Sequence, residues 1–167
     1  FIFYNELDLL KIRLELYKDK VDFFVICEAN MTHSGNPKPY NFLENIYMFE
    51  EYKDKIIYIP VELDTTGLDI NNKPDKLDFN SAFFNLEEQH RRGLTYGFEQ
   101  IDDNDIVLLS DLDEFPSYES LDYLKNHPPS TPISLIQSLH YYYINCINIG
   151  YDAQWRGTVA VMGDFAK

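Results

Sequence analysis

The stretch Asp105–Ser110, which reads Asp-Ile-Val-Leu-Leu-Ser, leads directly into the acidic segment Asp111–Glu114, which reads Asp-Leu-Asp-Glu. A nearly continuous apolar run of this length is typical of a β-strand covered on both faces. Val21–Cys27 has the same character. Lys55–Val61 is a third such run, and its proline, Pro60, predicts an edge or a bulge near the end of the strand. These runs predict a sheet inside an α/β domain.

Helical patterns separate the predicted strands. Apolar residues recur at helical spacing over about Asp8–Lys18 and Phe79–Gln100, and Tyr118–Asn126 predicts a shorter helix. Asp78 or Asn80 is expected to cap the long helix, because short polar side chains accept hydrogen bonds from unpaired N–H groups there.

Further strands are expected at Phe1–Tyr4 and at Ile133–Ile144, the second as one long strand or a strand pair. The resulting order, β-α-β-β-α-β-α-β, predicts an α/β fold with a mostly parallel, doubly wound sheet flanked by helices. Such sheets bind ligands beyond the carboxyl ends of their strands. The length of 167 residues suits one domain, so we expect residues 1–167 to form a single domain with both ends cut through structure.

Composition and charge argue against several classes of function. The chain has 14 basic and 28 acidic residues, a formal net charge of −14, which would repel nucleic acid and anionic lipid. No apolar run is long enough to span a bilayer. The two cysteines, Cys27 and Cys146, form no paired motif, which argues against a zinc site or a disulfide framework.

The acidic segment after the strand is the strongest chemical signal. In extended chain, residues two apart point the same way, so Asp111 and Asp113 can converge. Two neighbouring carboxylates repel unless a cation lies between them, and Mg²⁺ or Mn²⁺ prefers oxygen ligands while leaving positions for substrate phosphates. The alternative interpretation is an acidic turn with a capping aspartate. The buried strand before the segment favours the metal site.

Other polar residues follow strands or lie on the long helix. Asn5 and Glu6 end the first strand, and Glu28 ends the second, on the same predicted sheet edge as Asp111. We expect these residues to bind a nucleotide donor, although Glu28 could instead cap a helix or anchor a loop. Arg91 could bind phosphate, or one of Arg91 and Arg92 could pair with a glutamate one helical turn away.

Five blocks of sequence together resemble glycosyltransferase family 17. Their order and spacing extend over nearly the whole chain. The blocks are Asn5–Leu10 with Arg13, Val25–Ala29, Ser34–Pro39, Gln89–Arg91 and Asp105–Pro116.

This resemblance implies a GT-A-like fold that takes N-acetylglucosamine from a UDP-sugar and passes it to a hydroxyl of an oligosaccharide or glycan acceptor. It implies that Asp111 and Asp113 are a DxD pair for Mn²⁺ or Mg²⁺, and that Glu28 lies against the uracil. The family is expected to invert the anomeric centre, which requires a general base. Asp164 and Glu114 are the candidates for that base within the chain.

Two other functions fit clustered carboxylates or aromatic residues. One is a metal-dependent phosphohydrolase or nucleotidyltransferase. The other is a carbohydrate-binding domain without catalysis, since the 13 tyrosines suit sugar surfaces. The sequence does not decide the cellular compartment. We expect a cytoplasmic location if the protein is bacterial or viral, and the Golgi lumen if it is eukaryotic with an anchor outside this chain.

Overall fold

A computed structural model describes residues 1–72, 78–151 and 153–167. The chain divides into two compact units, Phe1–Glu99 and Gln100–Lys167. Each unit has its own sheets.

The first unit contains a parallel sheet of three strands, β1 (Ile2–Phe3), β2 (Phe24–Ala29) and β3 (Ile56–Val61), in that spatial order. In this register Glu28 lies between Phe3 of β1 and Pro60 of β3. The central strand is almost completely buried, as its apolar run predicts. Pro60 is tolerated because β3 is an edge strand of the described sheet.

Helices cover this sheet and form its connections. They are α1 (Leu7–Tyr17), α2 (Asn41–Glu44) and α3 (Ala82–Gly93), with 3-10 segments at Ile46–Lys55 and Leu94–Gln100. The predicted caps of the long helix, Asp78 and Asn80, are wrong. Ser81 caps α3 instead, because its Oγ accepts a hydrogen bond from the Phe84 N–H at 3.4 Å.

The core of the first unit forms where α3 packs on β2 and β3. Leu86 and Cys27 are completely buried there, and Ile59 and Val61 are nearly so. Gly93 lies closest to the sheet, and a Cβ on it would lie 2.6 Å from Cγ1 of Val61. A glycine at this position therefore lets the helix end close against the strands.

The second unit contains two antiparallel sheets. In the first, β8 (Val159–Met162) lies between β4 (Ile106–Leu109) and β5 (Ile133–Ser134). In the second, β6 (Gln137–Ser138) pairs with β7 (Gln154–Trp155). The helices are α4 (Tyr118–Asn126) and α5 (Gly163–Ala166).

The structure is mixed α/β, but its sheets differ from the prediction. The expected buried parallel strand after Asp105 is β4, which is half-buried and pairs antiparallel with β8. β2 and β4 therefore belong to different sheets, and the prediction that Glu28 and Asp111 end strands of one sheet is wrong. Among the described residues the parallel pairing is limited to three strands, and a doubly wound sheet is not confirmed.

The segment predicted as a strand or strand pair, Ile133–Ile144, is broken more often than expected. Its first part changes sheets, because β5 pairs with β8 whereas β6 pairs with β7. Its last part is an exposed turn at Tyr141–Ile144, in which Tyr142 has a φ of 61°. Across the described residues, no helix combines the length and apolar character needed to cross a membrane.

Candidate functional site

Asp111–Glu114 forms a closed turn directly after β4. The Glu114 N–H donates to the Asp111 carbonyl at 3.2 Å, and the Asp111 N–H donates to Oε2 of Glu114 at 3.1 Å. Asp111 is half-buried, Leu112 is buried and Asp113 is exposed. The extended-chain reason for bringing Asp111 and Asp113 together is therefore wrong, because a four-residue turn does not alternate its side chains as a strand does.

The Glu114 carboxylate lies inside the second unit, with only 6% of the residue exposed. Oε1 accepts a hydrogen bond from Nε1 of Trp155 at 2.6 Å, and Oε2 accepts one from Oγ1 of Thr158 at 3.1 Å. Thr158 is completely buried and also accepts a hydrogen bond from Nε2 of Gln137 at 3.2 Å. The turn is thereby joined to the segment that leads into β8.

Gly157 lies against the same carboxylate. A Cβ at this position would lie 1.5 Å from Oε1 of Glu114 and 2.2 Å from Nε1 of Trp155. Real Cβ atoms do not approach other atoms so closely. The contact between Glu114 and Trp155 therefore requires glycine at residue 157.

The second candidate base, Asp164, lies at the other end of β4. It lies in α5, directly after β8, which runs antiparallel to β4 and places Met162 opposite Ile106, at the amino end of β4. The Asp164 N–H donates to the Asp103 carbonyl in the turn before that strand. Asp111 follows the opposite end of β4, so the two aspartates are separated by the length of the strand, roughly 10 Å. The structure does not bring Asp164 to the Asp111–Glu114 turn.

The donor atoms at the turn suit a hard divalent cation. Asp111 and Asp113 supply carboxylate oxygens, and Mg²⁺ commonly uses one or two protein carboxylates together with waters and substrate phosphates. Within the described ranges, no group of three or more histidine, cysteine, aspartate or glutamate side chains could enclose a metal ion. The turn thus fits an open site that substrate completes, and does not fit a cage built by protein alone.

Glu28, near the end of β2, has several hydrogen-bond partners within the first unit. It is completely buried, and its Oε1 lies 2.7 Å from the Lys38 ammonium and accepts the Asn41 N–H at 2.6 Å. Oε2 accepts the Phe42 N–H at 3.0 Å and the Tyr58 hydroxyl at 2.9 Å. Burial and this carboxylate raise the pKa of Tyr58. These contacts match the interpretation of Glu28 as a helix cap and loop anchor, because it binds the first N–H groups of α2.

Asn5 and Glu6 lie on the same edge of the parallel sheet, after β1. Both residues are exposed, and Oε2 of Glu6 accepts hydrogen bonds from the N–H groups of Tyr4 and Asn5. The Tyr4 carbonyl in turn accepts a hydrogen bond from Nδ2 of Asn41 at 2.8 Å. Asn41 of α2 therefore contacts both the residue after β1 and Glu28 of β2. This is expected where neighbouring parallel strands end at one edge of a sheet.

The two arginines of α3 both form ion pairs along the helix. Nε of Arg91 lies 3.0 Å from Oε1 of Glu87, and Arg92 pairs with Glu88 in the same i,i+4 arrangement. Sequence reasoning assigned such a pair to one of the two arginines. Donor binding by Arg91 stays a prediction.

His90 of α3 is buried within the first unit. Its Nε2 donates to the Cys27 carbonyl at 3.0 Å, so in the neutral ring its Nδ1 accepts from Nε2 of His33 at 3.2 Å. Burial lowers the pKa of His90 to about 4 and also lowers the pKa of His33. Burial likewise raises the pKa of the Cys27 thiol to about 12. A thiol held this strongly protonated is a poor nucleophile.

Comparison with known protein families decides the class of this chain. The model of glycosyltransferase family 17 matches residues 1–167. The chain belongs to glycosyltransferase family 17.

Three relatives of this family 17 chain carry the name β-1,4-mannosyl-glycoprotein 4-β-N-acetylglucosaminyltransferase. The human and rat proteins are each 28% identical to it over 126 residues, and the mouse protein is 27% identical over the same length. The aligned part is 72% of this chain and 22% of each relative, so the chain spans about a fifth of the length of the relatives it matches. No solved structure shows a significant match.

Sequence reasoning missed the residues that hold the acidic turn of this family 17 chain. Trp155 is the single tryptophan of the sequence, and Gly157 follows it by two residues. This tryptophan, two residues before a glycine, was the one feature of the sequence that could have pointed to the contact with the acidic turn. Thr158 carried no signal, and Lys38 appeared only inside the Ser34–Pro39 block. Only the fold places these residues against Glu114 and Glu28.

Proposed function

We propose that this family 17 chain is the nucleotide-sugar domain of a metal-dependent, inverting glycosyltransferase. It moves a sugar, N-acetylglucosamine, from a UDP-sugar to a hydroxyl group of a saccharide, and its fold is GT-A-like. The observation that carries the proposal is the family match over residues 1–167. The names of the human, rat and mouse relatives support the choice of N-acetylglucosamine.

In the proposed reaction, an acceptor hydroxyl oxygen attacks the anomeric carbon from the face opposite the diphosphate. The bond from that carbon to the phosphate oxygen breaks, UDP leaves, and the hydroxyl proton passes to a base. A divalent cation bound by Asp111 and Asp113 would neutralise the charge that develops on the departing diphosphate. The exposed Asp113 and the half-buried Asp111 support this assignment, because the site must admit phosphate.

Donor binding by Asn5, Glu6, Glu28 and Arg91 in the first unit, and by Asp111 in the second, stays a prediction for each residue. Glu28 would act through the loop and helix that it anchors, because all its acceptor oxygens already face donors from the protein. Of the two predicted bases, Glu114 lies at the turn that carries Asp111 and Asp113, whereas Asp164 lies at the far end of β4.

An assay of UDP release tests the proposal. With UDP-N-acetylglucosamine, an oligosaccharide acceptor and Mn²⁺, we expect UDP release that depends on metal and acceptor. Asp113→Ala should abolish release while leaving the thermal unfolding temperature unchanged. Asp102→Ala, an exposed aspartate in the turn before β4, should retain activity. Full activity of Asp113→Ala in saturating Mn²⁺ would overturn the metal assignment.

Products other than UDP would overturn the reaction itself. Release of free phosphate or pyrophosphate would favour a phosphohydrolase or nucleotidyltransferase. Saccharide binding that is unchanged by removing both metal and UDP, together with no turnover, would favour a binding domain without catalysis. A melting temperature raised by UDP only when Mn²⁺ is present would support the proposed donor class, since ligands that bind the native state stabilise it.

A further inference from the structure

The Glu114 carboxylate accepts hydrogen bonds from its own turn and from residues far away in the sequence. One donor is the N–H of Asp111, within its own turn, and the others are Trp155 and Thr158, which are 41 and 44 positions later. Both oxygens of the carboxylate are used, and the side chain is buried. A general base needs an oxygen that can reach the proton of a substrate hydroxyl. The geometry of Glu114 instead suits a residue that fixes a neighbouring group.

We propose that Glu114 is a positioning residue that holds the Asp111–Glu114 turn in the conformation that binds the cation, through the hydrogen bond to Trp155 that Gly157 permits. This inference rests on the proposed function, because it concerns the same pair of aspartates. It changes the role of Glu114 from a proton acceptor to a support for Asp111 and Asp113. It also assigns roles to Trp155 and Gly157, which the predicted site does not include.

Hydrogen bonds inside and outside the turn explain how Glu114 holds it in place. The Asp111 N–H binds Oε2 of Glu114 while the Glu114 N–H binds the Asp111 carbonyl, so the first and last residues of the turn are joined twice. The contacts of Oε1 and Oε2 with Trp155 and Thr158 then attach this closed turn to the segment entering β8. A cation site with two protein ligands depends on such support, because few ligands fix its geometry.

Single substitutions disrupt these hydrogen bonds individually while leaving Asp111 and Asp113 intact. Glu114→Gln keeps the shape of the side chain but turns one acceptor oxygen into an NH₂ donor, which then faces a donor from Trp155 or from Thr158 and Asp111. Gly157→Ala places a methyl group where the Glu114 and Trp155 side chains meet. Trp155→Phe removes the indole donor and part of the ring, and keeps an aromatic side chain. Gly150→Ala is the matched control, because a Cβ there would meet only Oδ1 of Asn148, at 3.2 Å.

The first measurement needs no enzymatic activity. Trp155 is the single tryptophan, so a ¹⁵N-labelled protein gives one indole N–H signal in its NMR spectrum. We expect this proton to exchange with solvent at least about tenfold faster in Glu114→Gln and Gly157→Ala than in the wild type, because a hydrogen bond to a charged group is lost. Gly150→Ala should leave the exchange rate unchanged. Equal exchange rates in the wild type and in Glu114→Gln would overturn the proposed contact.

The second measurement concerns the cation. Isothermal titration calorimetry with Mg²⁺ alone should show a cation affinity about tenfold lower than that of the wild type in Glu114→Gln, Gly157→Ala and Trp155→Phe. Asp111 and Asp113 are intact in all of these variants. Wild-type affinity in all three variants would overturn the positioning role. If the wild type itself binds no Mg²⁺, the metal assignment of the proposed function fails, whereas the indole measurement still decides whether Glu114 holds the turn.

The pH dependence of transfer distinguishes a support from a base. If Glu114 is a support, Glu114→Gln lowers kcat/KM by a factor similar to that of Trp155→Phe and keeps the acidic limb of the pH profile. The double variant is then no less active than either single variant. As a base, Glu114→Gln removes the acidic limb while Trp155→Phe stays near the wild type, and this result would overturn the proposal. If Glu114→Gln fails to fold, Trp155→Phe, which keeps an aromatic ring, carries the test.

Discussion

The Lys38 ammonium lies 2.7 Å from Oε1 of Glu28, and the two side chains are 7% and 0% exposed. A buried charge that loses its partner is not compensated by water, so breaking such a pair is strongly destabilising. We therefore expect Lys38→Met to lower the free energy of unfolding by about 3 kcal/mol, measured by urea denaturation.

An exposed pair provides the control for this substitution. Lys53 and Glu50 also form an ion pair, but their side chains are 59% and 68% exposed. Water screens such pairs, so Lys53→Met should leave the free energy of unfolding nearly unchanged. Equal effects of the two substitutions would show that burial of the Glu28 pair does not matter for stability.

Stability should fall in mild acid because of His90. Burial lowers the pKa of this residue to about 4 in the folded protein, below its ordinary value of 6.5. Between these values the unfolded chain binds a proton that the folded chain does not. The free energy of unfolding therefore decreases as the pH falls through this range, by up to about 1.4 kcal/mol per pH unit for this group. Above pH 6.5 the contribution of His90 is fully present.

Urea denaturation at several pH values between 7.5 and 5 measures this loss. His90→Gln should reduce the slope of the unfolding free energy against pH. An unchanged slope in His90→Gln would assign the acid sensitivity to other groups. His33 is expected to share the effect, because burial lowers its pKa as well and it contacts His90 directly.

Gly93 should resist substitution even though it ends a helix. Its Cβ would lie 2.6 Å from Cγ1 of Val61 and 2.8 Å from Sγ of Cys27. Overpacking of this kind costs roughly 1–3 kcal/mol, which exceeds the roughly 1 kcal/mol that alanine gains over glycine in helix propensity. We expect Gly93→Ala to lower the melting temperature. A higher melting temperature would mean that α3 can move away from the sheet at no cost.

Asp164→Asn should retain glycosyl transfer. Asp164 is exposed and lies near the amino end of β4, whereas the Asp111–Glu114 turn follows its carboxyl end. A side chain at that distance cannot take a proton from a hydroxyl positioned at the turn. Steady-state kinetics with the UDP-sugar should give a kcat within about twofold of the wild type. A loss of several hundredfold with unchanged stability would restore Asp164 as the base.

The sequence predicted the first unit better than the second for a physical reason. Val21–Cys27 and Lys55–Val61 are long apolar runs, and each forms a strand of the parallel sheet. Asp105–Ser110 looks the same in sequence, but its partner, β8, lies about fifty residues later in a segment without a clear pattern. Strand direction depends on that partner, so an antiparallel pair was read as part of a parallel sheet.

The same limit applies to the candidate site. The acidic turn could be found from its own residues, since a strand that ends in clustered carboxylates is a local pattern. The roles of Glu114 and Glu28 could not, because each carboxylate is defined by donors far away in the chain. Burial and hydrogen bonding of an acid are properties of the fold, and a list of acidic residues does not distinguish a ligand from a support.

The long sequence separation between Glu114 and its donors has a consequence for how the protein is made. Glu28 acquires all its described partners by the time Tyr58 has been synthesised. The hydrogen bonds of Glu114 to Trp155 and Thr158 form only after these residues, which follow it by 41 and 44 positions, have been synthesised. On a ribosome adding roughly 5–20 residues per second, this is a delay of several seconds. During that interval the nascent chain carries an acidic turn without its support, so the two units should mature in order, from the amino end.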